Sequence, residues 1–141
     1  MDVVDFCDFC NSLPNVNESL PFGDSTLVYK VGGRMFAAIG LDHADHFVVK
    51  CDPKRAIELR DRYEQVQPAW HFNKRHWNDI YFDGRLTDSE LRAEIIHSYR
   101  LVIQQNVTPK ALRLQVEKWQ CKGSNMSGMN ILAPYCHKRV N

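Results

Sequence analysis

The chain has 141 residues, of which 44% are hydrophobic and 25% are charged. A domain of this size can build its core without disulfides or metals, and the composition excludes a disordered or fibrous chain. No apolar run is as long as a membrane span, and the start MDVVDFCDFC carries acids where a secretory signal needs a basic region, so we do not expect export. We therefore expect a cytoplasmic protein that contacts no membrane.

The net charge of +1 conceals an uneven distribution of charged residues. Residues 1–29 contain five acids and no Lys or Arg, whereas bases predominate after residue 100. Such a division can orient a protein toward an anionic partner, but it does not identify that partner.

The five cysteines are an odd number, which favours free thiols over a disulfide framework. Cys7 and Cys10 form a C-x-x-C motif inside a predicted helix, and their spacing places both on one face with Phe6. No strand precedes them to present a redox turn, so a position in the core is the better interpretation.

The first predicted elements are a helix and three strands. Asp2 can cap a helix over residues 3–13, which ends before Pro14. The runs TLVYKV and RMFAAI flank Gly32-Gly33, and this pattern predicts a hairpin, because a type I′ turn requires positive φ at both central positions. The segment DHADHFVVK predicts a third strand near residues 46–50.

Pairing across the hairpin turn determines which side chains share a face of the sheet. The expected pairs are Tyr29 with Phe36 and Leu27 with Ala38 on one face, and Lys30 with Met35 on the other. Arg34 is expected at the tip of the hairpin.

The middle of the chain predicts a second helix, which Asp52 caps and Pro53 begins. Its apolar stripe is Ala56, Leu59, Tyr63 and Val66. Its charged residues are expected mostly to face solvent: Lys54, Arg55, Glu58, Arg60, Asp61 and Arg62.

The following segments predict a strand in WNDIYF and then further helices. Thr87 and Glu90 form a capping box for a long helix over about residues 88–105. Pro109 is expected to begin another helix that extends to about residue 119. The last twenty or so residues show no periodicity.

This order of elements predicts the fold class. Hairpin-linked strands with helices between and after them indicate an α+β domain, in which an antiparallel sheet has helices packed on one face. We expect the hairpin over residues 26–39 to pack against the N-terminal helix and the helix over residues 88–105. The sequence contains no glycine-rich loop of a nucleotide-binding βαβ unit.

Four blocks resemble the MmcQ/YjbR-like family: LPFGDSTLVYKVGGRMFA, KCDPKRAIELRDRYEQVQPAWHFNKRHWNDI, DGRLTDSEL and HSYRLV. They occur in the family's order, and the resemblance covers about residues 1–115. It implies a CyaY-like α+β fold for a domain over residues 1–117 and a role in DNA binding. Residues 118–141 form a C-terminal extension beyond the point where the family commonly stops.

The segment HFNKRHWND, residues 71–79, concentrates cationic, aromatic and amide groups. Lysine and arginine bind phosphates, and asparagine can hydrogen-bond an adenine edge. The predicted nucleic-acid-binding residues are Lys30, Arg34, Asn73, Lys74, Arg75 and His76. Trp77 is expected to anchor the segment to the core. The competing interpretation is a structural collar, in which Asn73 and His71 hydrogen-bond the loop backbone.

No catalytic or metal-binding constellation is recognisable in the sequence. The histidine pairs 43/46 and 71/76 lack the spacing of known zinc motifs, and no nucleophile lies in a family-type signature. We therefore expect no enzyme activity, no cofactor and no tightly bound metal.

Two other functions remain open at this stage. A protein-interaction module would use the sheet face or the C-terminal tail, where Met126, Met129, Ile131, Leu132 and Tyr135 offer adaptable apolar contacts. A frataxin-like weak metal binder would use the acidic N-terminal helix, in which Asp2, Asp5 and Asp8 recur every three residues.

Overall fold

The computed structural model describes residues 1–105, which form a six-stranded antiparallel sheet with three helices. In chain order the elements are α1 (Val3–Ser12), β1 (Val16–Ser19), β2 (Thr26–Val31), β3 (Arg34–Gly40), β4 (His46–Lys50), α2 (Pro53–Arg62), β5 (Val66–Pro68), β6 (Trp77–Tyr81) and α3 (Asp88–Gln105). The strand order across the sheet is β1-β2-β3-β4-β6-β5. The predicted α+β class with an antiparallel sheet is confirmed.

All three helices begin where capping residues predicted. Asp2 and Asp5 of α1 form a reciprocal capping box, and the Asp52 carboxylate accepts from the first free N–H groups of α2. Thr87 and Glu90 form a second capping box at the start of α3. Each cap satisfies backbone donors that the helix itself leaves open and contributes about 1 kcal/mol to stability.

The β2–β3 hairpin turns at Gly32 and Gly33, as the sequence predicted. Their φ angles are +59° and +80°, a left-handed conformation that glycine adopts without a steric penalty. Lys30 pairs with Met35, also as predicted.

The rest of the predicted hairpin register is wrong, because β3 contains a bulge between Met35 and Ala37. Tyr29 pairs with Ala37 instead of Phe36, and Leu27 pairs with Ile39 instead of Ala38. The bulge places both Phe36 and Ala37 in the main core. A bulge breaks the strict alternation of side chains, so a pairing count from the turn fails beyond it.

The main core lies between the sheet and the helices. Phe6 of α1 stacks on Phe47 of β4 with ring centroids 4.8 Å apart, and Tyr99 of α3 meets Phe36 edge-on at 5.3 Å. Leu59 and Tyr63 bring the end of α2 against the same cluster. The helices therefore cover one face of the sheet, and we call the opposite face the open face.

A smaller cluster lies on the open face, where residues 69–76 cross part of the sheet. Val28, Ala38 and Val48 of three neighbouring strands are buried there with Ala69, while Met35, Phe72 and Trp77 pack around them. Phe72 and Trp77 lie in ring contact, with centroids 5.4 Å apart. The segment 69–76 is thus tied to the sheet on the side away from the helices.

Two short strands, β1 and β5, were not predicted. They form the two edges of the sheet, and β1 lies just after Pro14, where the sequence predicted only the end of the first helix. The expectation of solvent-facing charges on α2 is wrong for two residues. Arg55 forms an ion pair with Glu94 of α3, and Arg60 donates to Asn78 of β6, because these long side chains reach past the helix surface.

None of the helices within residues 1–105 is long and apolar enough to cross a membrane. The predicted helix over residues 109–119, the domain boundary after residue 117 and the interaction surface of the tail lie outside the described residues.

Candidate functional site

The antiparallel topology brings three separate segments to one end of the sheet. The hairpin tip joins β2 to β3, β4 ends beside the start of β3, and Lys50 at the end of β4 pairs with Trp77 at the start of β6. The cations gathered at this end are Lys30, Arg34, Lys50, Lys74 and Arg75, and we call them the basic end.

Lys30 of β2 and Lys50 of β4 lie on the open face by strand alternation, with β3 between the two strands. Lys30 pairs with Met35 and Lys50 pairs with Trp77, and the bulge at Phe36 separates the two pairs along β3. Neighbouring strands are about 4.8 Å apart, so the two ammonium groups extend from backbone positions roughly 10 Å apart. The two lysines therefore carry positive charge on β2 and β4, on either side of the uncharged Met35, and we call this arrangement the positive strip.

Lys50 was not among the residues predicted from the sequence. Partial burial lowers its pKa, and the nearby positive charge of Arg34 lowers it further. Strand alternation contained the missing signal, because Lys50 lies two residues after Val48 and therefore shares its face. Like charges in close proximity favour the binding of an anion between them.

The turn over residues 73–76 is built by Asn73. Its Oδ1 accepts from the Arg75 N–H at 3.0 Å, and its carbonyl accepts from the N–H groups of His76 and Trp77 at 3.1 and 3.0 Å. The His76 carbonyl accepts from the N–H of Cys51 at 2.7 Å. Asn73 therefore shapes the turn through its side chain, as the structural-collar interpretation expected.

Arg60 of α2 holds this turn from the helix side of the sheet. Its guanidinium donates to the carbonyl of Lys74, to the Trp77 carbonyl at 3.2 Å and to Asn78 Oδ1 at 2.8 Å. No sequence pattern indicates this role, since Arg60 lies 14 residues from Lys74 and its contacts depend on the packing of α2.

The two tryptophans near the turn have different environments. Trp77 is partly buried in the open-face cluster, which agrees with its predicted anchoring role. Trp70 is 64% exposed, and the Lys74 ammonium lies 4.0 Å from the centre of its ring. Trp70 lies two residues after Pro68, which ends β5, and a proline in this place is a sequence signal for a following loop.

No member of the basic end forms a salt bridge with another described residue. The ion pairs among residues 1–105 join the N-terminal amine to Asp88, His46 to Asp45 and Arg55 to Glu94. Lys74 and Arg75 are exposed, as is Arg34 at the hairpin tip. Their charges are therefore accessible to an anionic partner.

The described cysteines are free thiols, and their chemistry suits packing. Cys10 and Cys51 are buried, and burial raises the pKa of both thiols, that of Cys51 to about 12. Burial also raises the pKa of Cys7. Thiols that stay protonated at neutral pH are weak nucleophiles and weak metal ligands.

The acidic start of α1 is used for capping. The carboxylates of Asp2 and Asp5 each accept from the other residue's backbone N–H, at 2.9 and 3.3 Å. Within residues 1–105, no group of three or more His, Cys, Asp or Glu side chains is arranged to hold a metal ion.

Comparison with known proteins identifies the family. The family model described as YjbR matches residues 11–101, so the chain belongs to the YjbR family. It is 27% identical over 114 residues to the uncharacterized protein YjbR of Escherichia coli K12, covering 80% of this chain and 95% of that protein. It is 32% identical over 92 residues to the uncharacterized protein YbdF of Escherichia coli O157:H7, covering 64% and 75%.

Solved structures agree with this assignment. The crystal structure of Deinococcus radiodurans protein DR2400, which contains a DUF419 domain, superposes with a TM-score of 0.74 at 35% identity and covers 82% of this chain and 87% of that one. A Pseudomonas syringae protein superposes with a TM-score of 0.61 at 22% identity over 72% and 98% of the two chains, which supports the fold alone.

Proposed function

We propose that this YjbR-family chain is a non-enzymatic protein that binds nucleic acid through the basic end. The observation that supports the proposal most strongly is the convergence of five cations from three chain segments, none of them in a salt bridge within residues 1–105. A nucleic-acid backbone carries regularly spaced negative phosphates. Lysine and arginine side chains that are not paired with acids can form ion pairs with these phosphates.

Each group at the basic end has a chemical role in this proposal. Lys74, Arg75 and Lys50 bind phosphates, and Lys30 and Arg34 extend the positive strip toward the hairpin tip. Trp70 offers an exposed ring to a base, with the Lys74 charge held beside it. His76 and Asn73 contribute secondary polar contacts at the turn.

The structural collar and the binding surface are compatible in this geometry. Asn73, Arg60 and Trp77 hold the turn in place, whereas Lys74 and Arg75 are exposed on it. Rigid support is what a binding site requires, because a preformed site loses less entropy when a ligand binds. The collar residues therefore position the cations.

A titration of labelled single-stranded and duplex DNA at several salt concentrations tests this proposal. We expect sequence-independent binding by the wild type, and the Lys74→Ala/Arg75→Ala variant should bind more weakly at every sequence. The slope of log affinity against log salt should become shallower by roughly one unit per lost phosphate contact.

The matched control removes two bases on the helix side of the sheet, Arg62→Ala/Arg92→Ala. It lowers the net charge by the same amount, so it should leave affinity and salt slope close to those of the wild type. Equal losses in the two double variants would mean that total charge, and not the basic end, governs binding. An absence of binding at low salt would refute the proposed function.

A further inference from the structure

A cavity of about 490 Å³ opens on the open face, beyond the basic end. Such a volume lies within the range of roughly 300–1,000 Å³ that small-molecule sites occupy. Its lining includes Phe22, Thr26, Ala38, Gly40, Val48 and Phe72. The cavity thus combines a floor of small and aliphatic side chains on three strands with two aromatic rings.

Phe22 is an unusual residue for the surface of a small protein. It is 70% exposed in the loop between β1 and β2, and it lines the cavity together with Phe72 of the segment 69–76. Exposed aromatic rings beside a cavity are suited to stacking on a flat, partly apolar molecule, and a nucleobase is such a molecule.

The cavity lining also contains polar side chains. Ser25, His43 and His71 can donate or accept hydrogen bonds, and the carboxylate of Asp42 can accept them. Nucleobases present mixed donors and acceptors along their edges. A lining that combines apolar and polar side chains therefore matches a base better than a purely aliphatic ligand.

The cavity and the basic end lie on one continuous surface. His46 at the cavity and Lys50 at the basic end are the two ends of β4, and Val48 between them forms part of the cavity floor. Four residues of strand span roughly 13 Å. A strand whose phosphates lie against the basic end can therefore reach the cavity with a base only a few nucleotides away.

We propose that this cavity accepts an unpaired nucleobase from the strand whose phosphates lie on the basic end, so that the protein prefers single-stranded nucleic acid to duplex. The inference rests on the proposed function and adds the kind of nucleic acid to it. A paired base within a duplex is stacked and hydrogen-bonded, so it cannot enter the cavity unless the duplex opens.

Gly40 offers a direct way to fill the cavity. It pairs with Thr26 and shares the open face with Ala38, and a Cβ built on it meets no atom within 4 Å. Its φ lies outside the positive range, so valine fits the strand backbone. The Gly40→Val variant should therefore fold normally and obstruct the cavity without changing any charge.

The experiment measures the affinity of wild type and Gly40→Val for three fluorescent probes: oligothymidine, an abasic strand of equal length and a duplex. Stacking of one base contributes about 1–3 kcal/mol, which corresponds to roughly 5- to 150-fold in affinity. We expect wild type to bind oligothymidine at least fivefold more tightly than the other two probes. Gly40→Val should lose the part of this preference that the cavity contributes, keep the part that Trp70 contributes, and keep its affinity for the abasic strand. An oligouridine arm distinguishes RNA from DNA.

A second variant tests the cavity independently, in case Gly40→Val does not fold. Phe22→Leu removes the exposed ring and keeps an apolar side chain, so it should also lower affinity for oligothymidine alone. Ile57→Ala is its control, because Ile57 is similarly exposed, on α2. Circular dichroism and thermal melting establish that each variant is folded.

The possible outcomes separate the two proposals. Equal binding of oligothymidine and the abasic strand by wild type would overturn the base-binding cavity and leave the phosphate-binding basic end intact. Unchanged oligothymidine affinity in Gly40→Val and Phe22→Leu would also overturn it. A lack of binding to all probes would remove both proposals.

Discussion

Trp70 and Trp77 show how the same side chain serves two purposes within one short segment. Trp77 packs on Phe72 and the aliphatic residues of the open face, where its burial stabilises the position of the turn. Trp70 leaves most of its ring in solvent beside the Lys74 ammonium. A large ring that is exposed to solvent contributes little to the stability of the fold. We therefore expect the Trp70 ring to contact a ligand.

Replacing Trp70 should therefore separate binding from folding. We expect Trp70→Ala to lower affinity for single-stranded DNA by about 1–3 kcal/mol, the typical contribution of one stacked base. Its free energy of unfolding should stay within about 0.5 kcal/mol of the wild type, because the ring is mostly exposed. Binding titrations and urea denaturation measure the two quantities.

Trp77→Ala is the variant with which Trp70→Ala is compared. It removes a partly buried ring from the open-face cluster, so it should lower the free energy of unfolding by a few kcal/mol. If Trp70→Ala destabilises the fold as much as Trp77→Ala does, or leaves single-strand affinity unchanged, the role assigned to Trp70 is wrong.

Individual residues of the candidate site were only partly predictable from the sequence. Lys74 and Arg75 stand out because bases, aromatic residues and amides cluster around them, and strand alternation together with the hairpin turn identifies Lys30. Arg60 could not be assigned, since its contacts with the Lys74 and Trp77 carbonyls depend on how α2 docks against β6. Local patterns predict exposure and face, whereas such contacts require the tertiary structure.

Among the elements, the turn over residues 73–76 depends most on a single distant side chain. The Arg60 guanidinium donates to the Lys74 carbonyl in this turn, to the Trp77 carbonyl just after it and to Asn78, whose side chain is buried. A planar group with several N–H donors is needed to bind all three acceptors together. The position of Lys74 and Arg75 is therefore coupled to α2.

We predict that Arg60→Lys keeps the positive charge but loses part of the hydrogen bonding to the Lys74 and Trp77 carbonyls and to Asn78. Arg60 donates from two nitrogens, Nε and Nη2, whereas the ammonium of lysine has all its donors on one nitrogen and cannot occupy both positions. Polar atoms therefore lose partners, and the free energy of unfolding should fall by about 1–3 kcal/mol. DNA affinity should also fall although Arg60 is not assigned to a phosphate, while the salt slope stays close to that of the wild type. Urea denaturation and salt-dependent titrations measure these effects.

Arg62→Lys provides the control, because Arg62 is exposed in the last turn of the same helix. It should change neither stability nor affinity appreciably. A shallower salt slope in Arg60→Lys would indicate that Arg60 itself binds a phosphate, which contradicts a purely positioning role.

Helices and strands were predictable from the sequence where capping or turn residues mark their ends. Caps at Asp2, Asp52 and Thr87 predicted the helix starts, and Gly32-Gly33 predicted the hairpin. The edge strands β1 and β5 have only four and three residues, too few for a recognisable alternation. The bulge in β3 was also unpredictable, because the packing of Phe36 and Ala37 against the helices determines it.

For the whole molecule, we expect the local distribution of charge to determine nucleic-acid binding more than the net charge does. The chain carries a net charge of +1, so long-range attraction to a polyanion is weak and binding must depend on where the bases lie. The sheet topology gathers bases at one end and leaves the capped acids Asp2 and Asp5 on α1, which packs on the other face. This separation follows from antiparallel pairing, which places a hairpin tip, a strand end and a strand start together.

Amide chemical-shift mapping with a single-stranded DNA probe tests the central claim most directly, because it reports every segment of the surface at once. Spectra of the ¹⁵N-labelled chain are recorded during a titration with short oligothymidine at low salt. We predict the largest shifts at residues 30–34, 50–51 and 70–76, together with Phe22 and Gly40 at the cavity. Residues of α1 and α3 should shift little. Shifts concentrated on the helix side, or no shifts at low salt, would contradict nucleic-acid binding through the basic end.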